Sequence, residues 1–229
     1  QEFTISVSNV NDLPVFTSSP ILTVDEDSVY TYNISVTDED LSGNVVITSS
    51  TLPSFLTLTD NGDNTATLTG TPLQSNLGDN QVVLVAKDSS EGITNQSFVI
   101  SVSNVNDLPV FTSSPILTVN EDSVYTYNIS VTDEDLSGNV VITSSTLPSF
   151  LTLTDNGDNT ATLTGTPLQA NLGDNQVVLV AKDSSDGVTN QSFVINVSNV
   201  NDLPVFTSTP VLTVDEDSVY TYNISITDE

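Results

Sequence analysis

The stretch Ser8-Asn9-Val10-Asn11-Asp12-Leu13-Pro14-Val15-Phe16 determines how this chain is organised. It returns unchanged at 103–111 and at 198–206, which gives a repeat period of 95 residues. Asparagine and aspartate side chains favour a turn, and the proline fixes the direction in which the chain leaves it. Each copy joins the end of one strand pattern to the start of the next. We therefore predict three inter-domain junctions, which are also candidate cation sites.

A repeat of this size corresponds to one small domain and not to a short solenoid unit. Residues 1–95 and 96–190 differ at six positions only, so the same unit is used more than once. The pattern predicts the end of a preceding repeat at 1–12, complete repeats at 13–107 and 108–202, and the start of a third at 203–229. Both ends of the sequence fall inside a domain pattern, so we expect the natural protein to be a longer array.

The charge balance is strongly acidic. The formal charge is −28, from 30 acidic residues against two lysines, and histidine is absent. Nucleic acid is excluded as a partner because nothing would neutralise its phosphates, and an anionic membrane surface would repel the chain. Net charge favours solubility, but many of the acids recur in short motifs. That recurrence favours a hard divalent cation, which prefers carboxylate and carbonyl oxygens.

Other compositional features narrow the chemistry further. Cysteine and methionine are absent, which excludes a disulfide framework and zinc–thiolate sites. No stretch approaches the roughly 20 apolar residues of a membrane span, so no membrane insertion is predicted in this segment. Lys87 and Lys182 occupy the same position in each complete repeat. A lysine–asparagine isopeptide crosslink is one interpretation, but we favour an outward-facing strand residue that offsets local acid.

Helical periodicity is missing, and threonine, serine, valine and isoleucine predict strands. In the first complete repeat the strands are predicted at 15–24 (split at Pro20), 28–37, 44–49, 52–59, 65–69, 81–88 and 95–103. The residues 38–43 predict a turn. Asp60-Asn61-Gly62-Asp63 predicts a hairpin, because Asn-Gly accepts positive φ at both turn positions. Seven short strands separated by turns predict an all-β fold of tandem Greek-key, seven-stranded β-sandwiches, arranged end to end.

Four motifs in this order resemble those of a cadherin-like domain. They are the linker Asn104-Val105-Asn106-Asp107-Leu108-Pro109, the turn Asp38-Glu39-Asp40 with Gly43-Asn44, the segment Ala86-Lys87-Asp88 with Gly92, and Glu26 near the domain base. The resemblance covers the whole repeat. Leu52-Pro53-Ser54-Phe55-Leu56 and Gly70-Thr71-Pro72 are similar to the dystroglycan-type cadherin-like and bacterial putative-Ig variants, in which Gly-Thr-Pro replaces an acidic segment.

The resemblance implies calcium (Ca²⁺) sites, in which the linker before one repeat meets the acidic turn of that repeat. The implied ligands at the first junction are Asn9, Asn11, Asp12, Asp38, Asp40, Asn44 and Asp88. Those at the middle junction are Asn104, Asn106, Asp107, Asp133, Asp135, the carbonyl of Asn139 and Asp183. Those at the third are Asn199, Asn201, Asp202 and Asp228, while Glu26 and Glu121 reach the following junction from the preceding domain. Because an acidic segment is missing and the linker is one residue short, we expect one or two ions per junction.

Near-identical copies and acidic junctions favour a structural array, and the resemblance implies a calcium-stiffened stalk or filament of an extracellular bacterial surface protein or adhesin. Its expected partners are the neighbouring repeats, with identical chains alongside or a surface polysaccharide as further interpretations. The alternative is a polysaccharide- or cell-binding module, which would need exposed aromatic side chains such as Tyr30 or Tyr32. An enzyme is not expected, because histidine, cysteine and arginine are absent and the acids cluster at junctions.

Overall fold

The computed structural model describes residues 1–40, 43–135 and 138–228, and the chain divides into two compact units, Gln1–Val105 and Asn106–Glu229. Each unit contains one two-sheet β-sandwich, as predicted. In the described ranges the helices are two short 3-10 turns, Gln74–Asn76 and Gln169–Asn171. None of the helices found there is long and apolar enough to cross a membrane.

Eight strand segments build the sandwich of the first unit. They are β1 (Val15–Phe16), β2 (Thr23–Asp25), β3 (Tyr30–Thr37), β4 (Val46–Thr51), β5 (Leu56–Asp60), β6 (Thr65–Gly70), β7 (Gly78–Lys87) and β8 (Ile93–Ser103). One sheet has the order β1-β3-β6-β5 and is antiparallel throughout. The other has the order β2-β8-β7-β4, in which β2 runs parallel to β8.

The second unit repeats this topology. Its strands are β9 (Val110–Phe111), β10 (Thr118–Asn120), β11 (Tyr125–Thr132), β12 (Val141–Thr146), β13 (Leu151–Asp155), β14 (Thr160–Gly165), β15 (Gly173–Lys182), β16 (Val188–Ser198), β17 (Val205–Phe206) and β18 (Ile226–Thr227). The sheets have the orders β13-β14-β11-β9 and β10-β16-β15-β12, and β17 pairs with β18 beyond them.

The split first strand is confirmed, and the split changes sheets. Segment β1 belongs to one sheet and β2 to the other, with Pro20 between them. Proline has no N–H to donate, so the chain leaves the first ladder there. Two buried tyrosines hold the crossing segment: the Tyr30 hydroxyl donates to the Ile21 carbonyl at 2.9 Å, and the Tyr32 hydroxyl lies 2.8 Å from Ser18 Oγ.

Strand alternation puts the predicted face into the core. Along β3, Tyr30, Tyr32, Ile34 and Val36 are buried, while the residues between them point outward. The ring of Tyr32 packs edge-on against Phe98, with 5.9 Å between ring centroids, which is a favoured aromatic geometry. The second unit has the equivalent pair, at 6.0 Å. Each sandwich is therefore closed by apolar packing between its own two sheets.

The hairpin between β5 and β6 differs from the prediction. Its loop has four residues, 61–64, and positive φ occurs at Gly62 (75°) and Asn64 (64°), so the expectation of positive φ at both Asn61 and Gly62 was wrong. The third strand also begins at Val46 and not at residue 44. The reason is that the Val45 amide bonds to the Asn64 side chain, 2.7 Å away, and not to a strand.

Candidate metal centre

Four segments meet at the same end of each sandwich. They are the linker before the first strand, the acidic connection between the third and fourth strands, the hairpin loop, and the turn between the last two strands. The strand register shows this, because Val15 pairs with Thr37, Ser35 pairs with Thr65, and Lys87 pairs with both Val46 and Ile93. The antiparallel pairing thus gathers the predicted ligand segments without any large loop.

In the second unit the linker is bonded directly to the acidic turn. The Asp107 amide donates to Asp135 Oδ2 at 2.7 Å, and the Asp135 amide donates to Asp133 Oδ1 at 2.9 Å. One carboxylate oxygen of Asp107 lies within 4.8 Å of one from Asp135. The Asn106 side chain donates to Asp183 Oδ2 at 2.9 Å. Five of the predicted ligands are therefore connected within one unit.

Asp183 is held in a fixed orientation by the turn after β15. Its Oδ1 accepts hydrogen bonds from the amides of Ser185 at 2.8 Å and Gly187 at 2.7 Å. The pKa of Asp183 is lowered, chiefly by the hydrogen bond from Asn106 and also by these amides, although burial acts in the opposite direction. A Cβ at Gly187 would stand 2.2 Å from Asp183 Oδ2, so glycine is needed for this close approach.

The surroundings of Asp133 shift its pKa in the opposite direction from that of Asp183. Its pKa is raised, first by burial and then by the charges of Asp135, Asp183 and Asp107, although the bond from the Asp135 amide works against this. The Oδ2 atoms of Asp133 and Asp107 are buried without a hydrogen-bond partner. A buried carboxylate oxygen without a hydrogen-bond partner among like charges costs free energy. A positive charge at this position would offset that cost.

No basic side chain supplies that charge. The chain has only two lysines, and each is paired within its own turn on the surface, as the outward-facing prediction required. Lys87 Nζ lies 2.5 Å from Glu91, and Lys182 Nζ lies 2.6 Å from Asp186. Neither lysine is therefore paired with the acidic cluster.

The first unit contains the same arrangement. Asp12 donates its amide to Asp40 Oδ2 at 2.7 Å, and Asn9 donates its side-chain amide to the other oxygen of Asp40. Asn11 donates to Asp88 Oδ2 at 3.0 Å, which lowers the pKa of Asp88. The Oδ2 atom of Asp38 is buried without a partner, as its counterpart is in the second unit. The hydrogen bonds from the linker to the acidic turn are thus repeated in both units.

Glu26 and Glu121 lie near the opposite end of their sandwiches and are nearly fully buried. Glu26 Oε1 accepts from the Val105 amide at 2.9 Å, and its Oε2 is buried without a hydrogen-bond partner. Glu121 Oε1 accepts from the Val200 amide at 2.8 Å and the Asn199 side chain at 2.7 Å. Each glutamate therefore fixes the start of the next linker by a hydrogen bond to its backbone.

The remaining predicted ligands are Asn44, Asn104, Asn139, Asn201, Asp202 and Asp228. The side chains of Asn44 and Asn139 donate to the carbonyls of Gly62 and Gly157 in the hairpin. The predicted ligand atom of Asn139 is its backbone carbonyl oxygen, which this side-chain bond does not use. Residues Asn104, Asn201 and Asp228 are exposed and Asp202 is half-buried; Asn201 donates to the Asp202 carbonyl at 2.8 Å. Within the predicted turn 38–43, Leu41 and Ser42 lie outside the described residues.

Sequence reasoning missed part of the support for this site. The side chains of Asp155 and Asn159, in the hairpin, accept hydrogen bonds from the amides of Ile142 and Val140, beside the acidic turn. Asn159 has a left-handed backbone, with a φ of 65°, which asparagine tolerates better than most residues, but no signal in the sequence indicates its contact with Val140. The sequence predicts a hairpin here and no contact between it and the acidic turn.

The donors suit a calcium ion. Carboxylate oxygens that are buried, unpartnered and close together are hard ligands, and calcium accepts six to eight of them in flexible geometry. The residues that would hold it in the second unit are Asp107, Asp133, Asp135 and Asp183. A bound ion would supply the missing positive charge and partner the free oxygens of Asp107 and Asp133.

Comparison with known proteins agrees with the fold. The model of the family described as putative Ig domain matches residues 13–103 and 108–198, and the chain belongs to this family. The serine-rich adhesin for platelets of Staphylococcus aureus is 32% identical over 163 residues, covering 62% of this chain and 7% of the adhesin. The chain thus spans less than a tenth of the length of that relative.

Solved cadherin structures share the architecture. A structure of PcdhgB3 EC1-4 covers 85% of this chain and 51% of its own, at 17% identity and a TM-score of 0.59. The extracellular cadherin domains 1-5 of protocadherin gamma B2 cover 89% of this chain and 43% of their own, at 19% identity and a TM-score of 0.56. The tandem sandwich fold of cadherin and Ig type is therefore confirmed.

Proposed function

We propose that this chain is a calcium-stiffened structural segment in the stalk or filament of an extracellular bacterial surface adhesin. The observation that carries the proposal is the buried, unpartnered oxygen of Asp133 among the carboxylates of Asp107, Asp135 and Asp183. The adhesin relative supports a surface location, and the tandem copies support a spacer in which neighbouring repeats are one another's partners.

The stiffening follows from where the ligands sit along the chain. Asn106 and Asp107 belong to the linker, whereas Asp133, Asp135 and Asp183 belong to the body of the sandwich. A calcium ion bound by both groups fixes the linker to the sandwich that follows it. Glu26, bonded to Val105 at the start of the same linker, would fix the preceding sandwich. Each junction then becomes a rigid joint when calcium is present and a loose one when it is removed.

Two measurements on the full chain test this function. Thermal unfolding in calcium and in chelator should give a higher melting temperature with calcium, because the ion binds only the folded form. At about 100 times its dissociation constant the gain is about 2.7 kcal/mol per site. NMR relaxation should show the two sandwiches tumbling separately in chelator and together in calcium. Equal melting temperatures in both conditions would exclude the calcium function.

A polysaccharide-binding module finds less support. Sugar-binding platforms use exposed aromatic rings, and in both sandwiches the candidate tyrosines are buried, with Tyr30 at 2% and Tyr32 at 3% exposure. Phe98 is buried as well, at 8%. Many of the acids lie in the linkers and acidic turns, where the proposed calcium sites account for them, and this gives no support to an enzyme.

A further inference from the structure

We infer that Asn159, with Asn64 in the first repeat, is a positioning residue that sets the width of the cation-binding turn and thereby its affinity. The inference rests on the proposed calcium function and extends it to a residue in the hairpin, outside every expected ligand segment. It concerns one residue that bonds to both flanks of the acidic turn, to one through its backbone carbonyl and to the other through its side chain.

The bonding of Asn159 is unusual for a hairpin residue. Its backbone carbonyl accepts from the Val131 amide at 3.0 Å, near the end of β11, and its side-chain Oδ1 accepts from the Val140 amide at 2.7 Å, just before β12. Strand β11 belongs to one sheet and β12 to the other. A single residue therefore holds together the two strands between which the acidic turn crosses from sheet to sheet.

This clamp brackets the candidate ligands. Asp133 follows Val131 by two residues, and Asn139 directly precedes Val140. Fixing both flanks limits the positions that the Asp133 and Asp135 carboxylates can take. Asn139 adds a second tie, because its side chain donates to the Gly157 carbonyl in the same hairpin. The turn is thus held in place by residues that are not ligands themselves but bond to its two flanks, which orients the ligands in it.

The first repeat makes the same contacts independently. The Asn64 carbonyl accepts from Val36 at 3.0 Å, and its Oδ1 accepts from Val45 at 2.7 Å. The backbone φ is 64° at Asn64 and 65° at Asn159. Asparagine tolerates this left-handed conformation and supplies a side-chain oxygen. Glycine also adopts the conformation but has no side-chain oxygen. Both properties are needed for the clamp, and they define the test.

The test uses the full chain with paired substitutions in both repeats. Asn64→Gly with Asn159→Gly keeps the conformation and the backbone bond but removes the side-chain acceptor. Asn64→Asp with Asn159→Asp keeps the acceptor. The control is Asp63→Ala with Asp158→Ala, because the Asp158 carboxylate contacts only the neighbouring Thr160 in the bonds observed among the described residues. Calcium affinity is measured by titration calorimetry well below the melting temperature.

We expect the glycine pair to bind calcium about 10- to 100-fold more weakly, which is the usual effect of removing a residue that orients the ligands of a metal site. The aspartate pair and the control should bind close to the wild-type affinity. The glycine pair could have a lower melting temperature in chelator and still bind calcium with wild-type affinity. That result would show that Asn64 and Asn159 only stabilise the fold, and it would overturn the inference.

A second measurement does not depend on calcium. Hydrogen exchange at the Val45 and Val140 amides, in chelator, should be faster in the glycine pair than in the wild type and nearly unchanged in the aspartate pair. If the wild type shows no calcium binding, the proposed function fails by itself, and this exchange result still decides the clamp. Unchanged protection of both amides in the glycine pair would show that the side-chain oxygen does not hold the Val45 or Val140 flank in either repeat.

Discussion

The backbone amide of Asp107 donates a 2.7 Å hydrogen bond to Oδ2 of Asp135, which ties the linker to the acidic turn of the sandwich it enters. Asp135 also gives its own amide to Asp133. Its carboxylate therefore serves the linker and the candidate ion together. Replacing Asp135 should therefore both release the linker from the acidic turn and weaken ion binding.

We predict that replacing Asp40 and Asp135 by alanine removes most of the calcium-dependent stabilisation of the chain. Each substitution deletes a ligand and the acceptor for the linker amide, so the loss should approach about 2.7 kcal/mol per site at saturating calcium. Thermal unfolding with calcium and with chelator measures it. The matched pair Asp63→Ala with Asp158→Ala should keep the calcium shift, and a shift retained in the Asp40 and Asp135 pair would contradict the assignment.

Asp133→Asn should change stability in opposite directions in the two conditions. Asparagine keeps the Oδ1 acceptor for the Asp135 amide but removes a charge that burial and three neighbouring carboxylates disfavour. In chelator the variant should melt higher than the wild type, because a buried like-charge repulsion is gone. In calcium it should melt lower relative to the wild type, because a ligand charge is lost. Two shifts of the same sign would refute the cluster as an ion site.

Local sequence patterns predicted the strands and the junctions, whereas the ligand set came from the resemblance to cadherin-like domains. Alternation in 30–37 identifies a half-buried strand without reference to its partners, and recurrence of the linker identifies the junction. The clamp at Asn159 was out of reach because its contacts with Val131 and Val140 span 28 and 19 residues. Such contacts depend on which sheet each strand joins, and no local pattern encodes that.

The Gly-Thr-Pro segment illustrates the same limit. The resemblance marked it as a departure, but the structure shows why glycine stands there: a Cβ at Gly165 would lie 1.8 Å from the Phe150 carbonyl oxygen. Gly70 has the same contact with Phe55. A steric requirement between two backbones is invisible in the sequence until the strands are paired.

We therefore predict that Gly70→Ala with Gly165→Ala destabilises each sandwich by about 3 kcal/mol, the upper range for overpacking. The comparison is Gly62→Ala with Gly157→Ala, where a Cβ meets nothing within 4 Å but φ is positive. That pair should cost only about 1 to 2 kcal/mol per site, from backbone strain. Urea unfolding in chelator measures both without any contribution from calcium. Equal losses in the two pairs would mean that crowding at the Phe55 and Phe150 carbonyls is absent.

Alkaline pH should unfold the chain through its buried tyrosines. Burial, with a smaller effect of the neighbouring tyrosine, raises the pKa of Tyr30 and of Tyr125 from 10.0 to about 12. Between these values the unfolded chain has lost the phenolic proton while the folded chain keeps it, so the free energy of unfolding falls as pH rises. The contribution is fully present below pH 10 and decreases by about 1.4 kcal/mol per pH unit for each tyrosine.

The measurement is urea unfolding at a series of pH values from neutral to above the unfolded pKa, in chelator. Tyr30→Phe with Tyr125→Phe cannot ionise, so its stability should depend less on pH over the same interval. The variant loses the hydrogen bonds to the Ile21 and Ile116 carbonyls and should be less stable than the wild type at neutral pH. The two stability curves should therefore converge as pH rises above 10. Parallel curves would show that these phenols ionise equally readily in the folded and unfolded chain, against their observed burial.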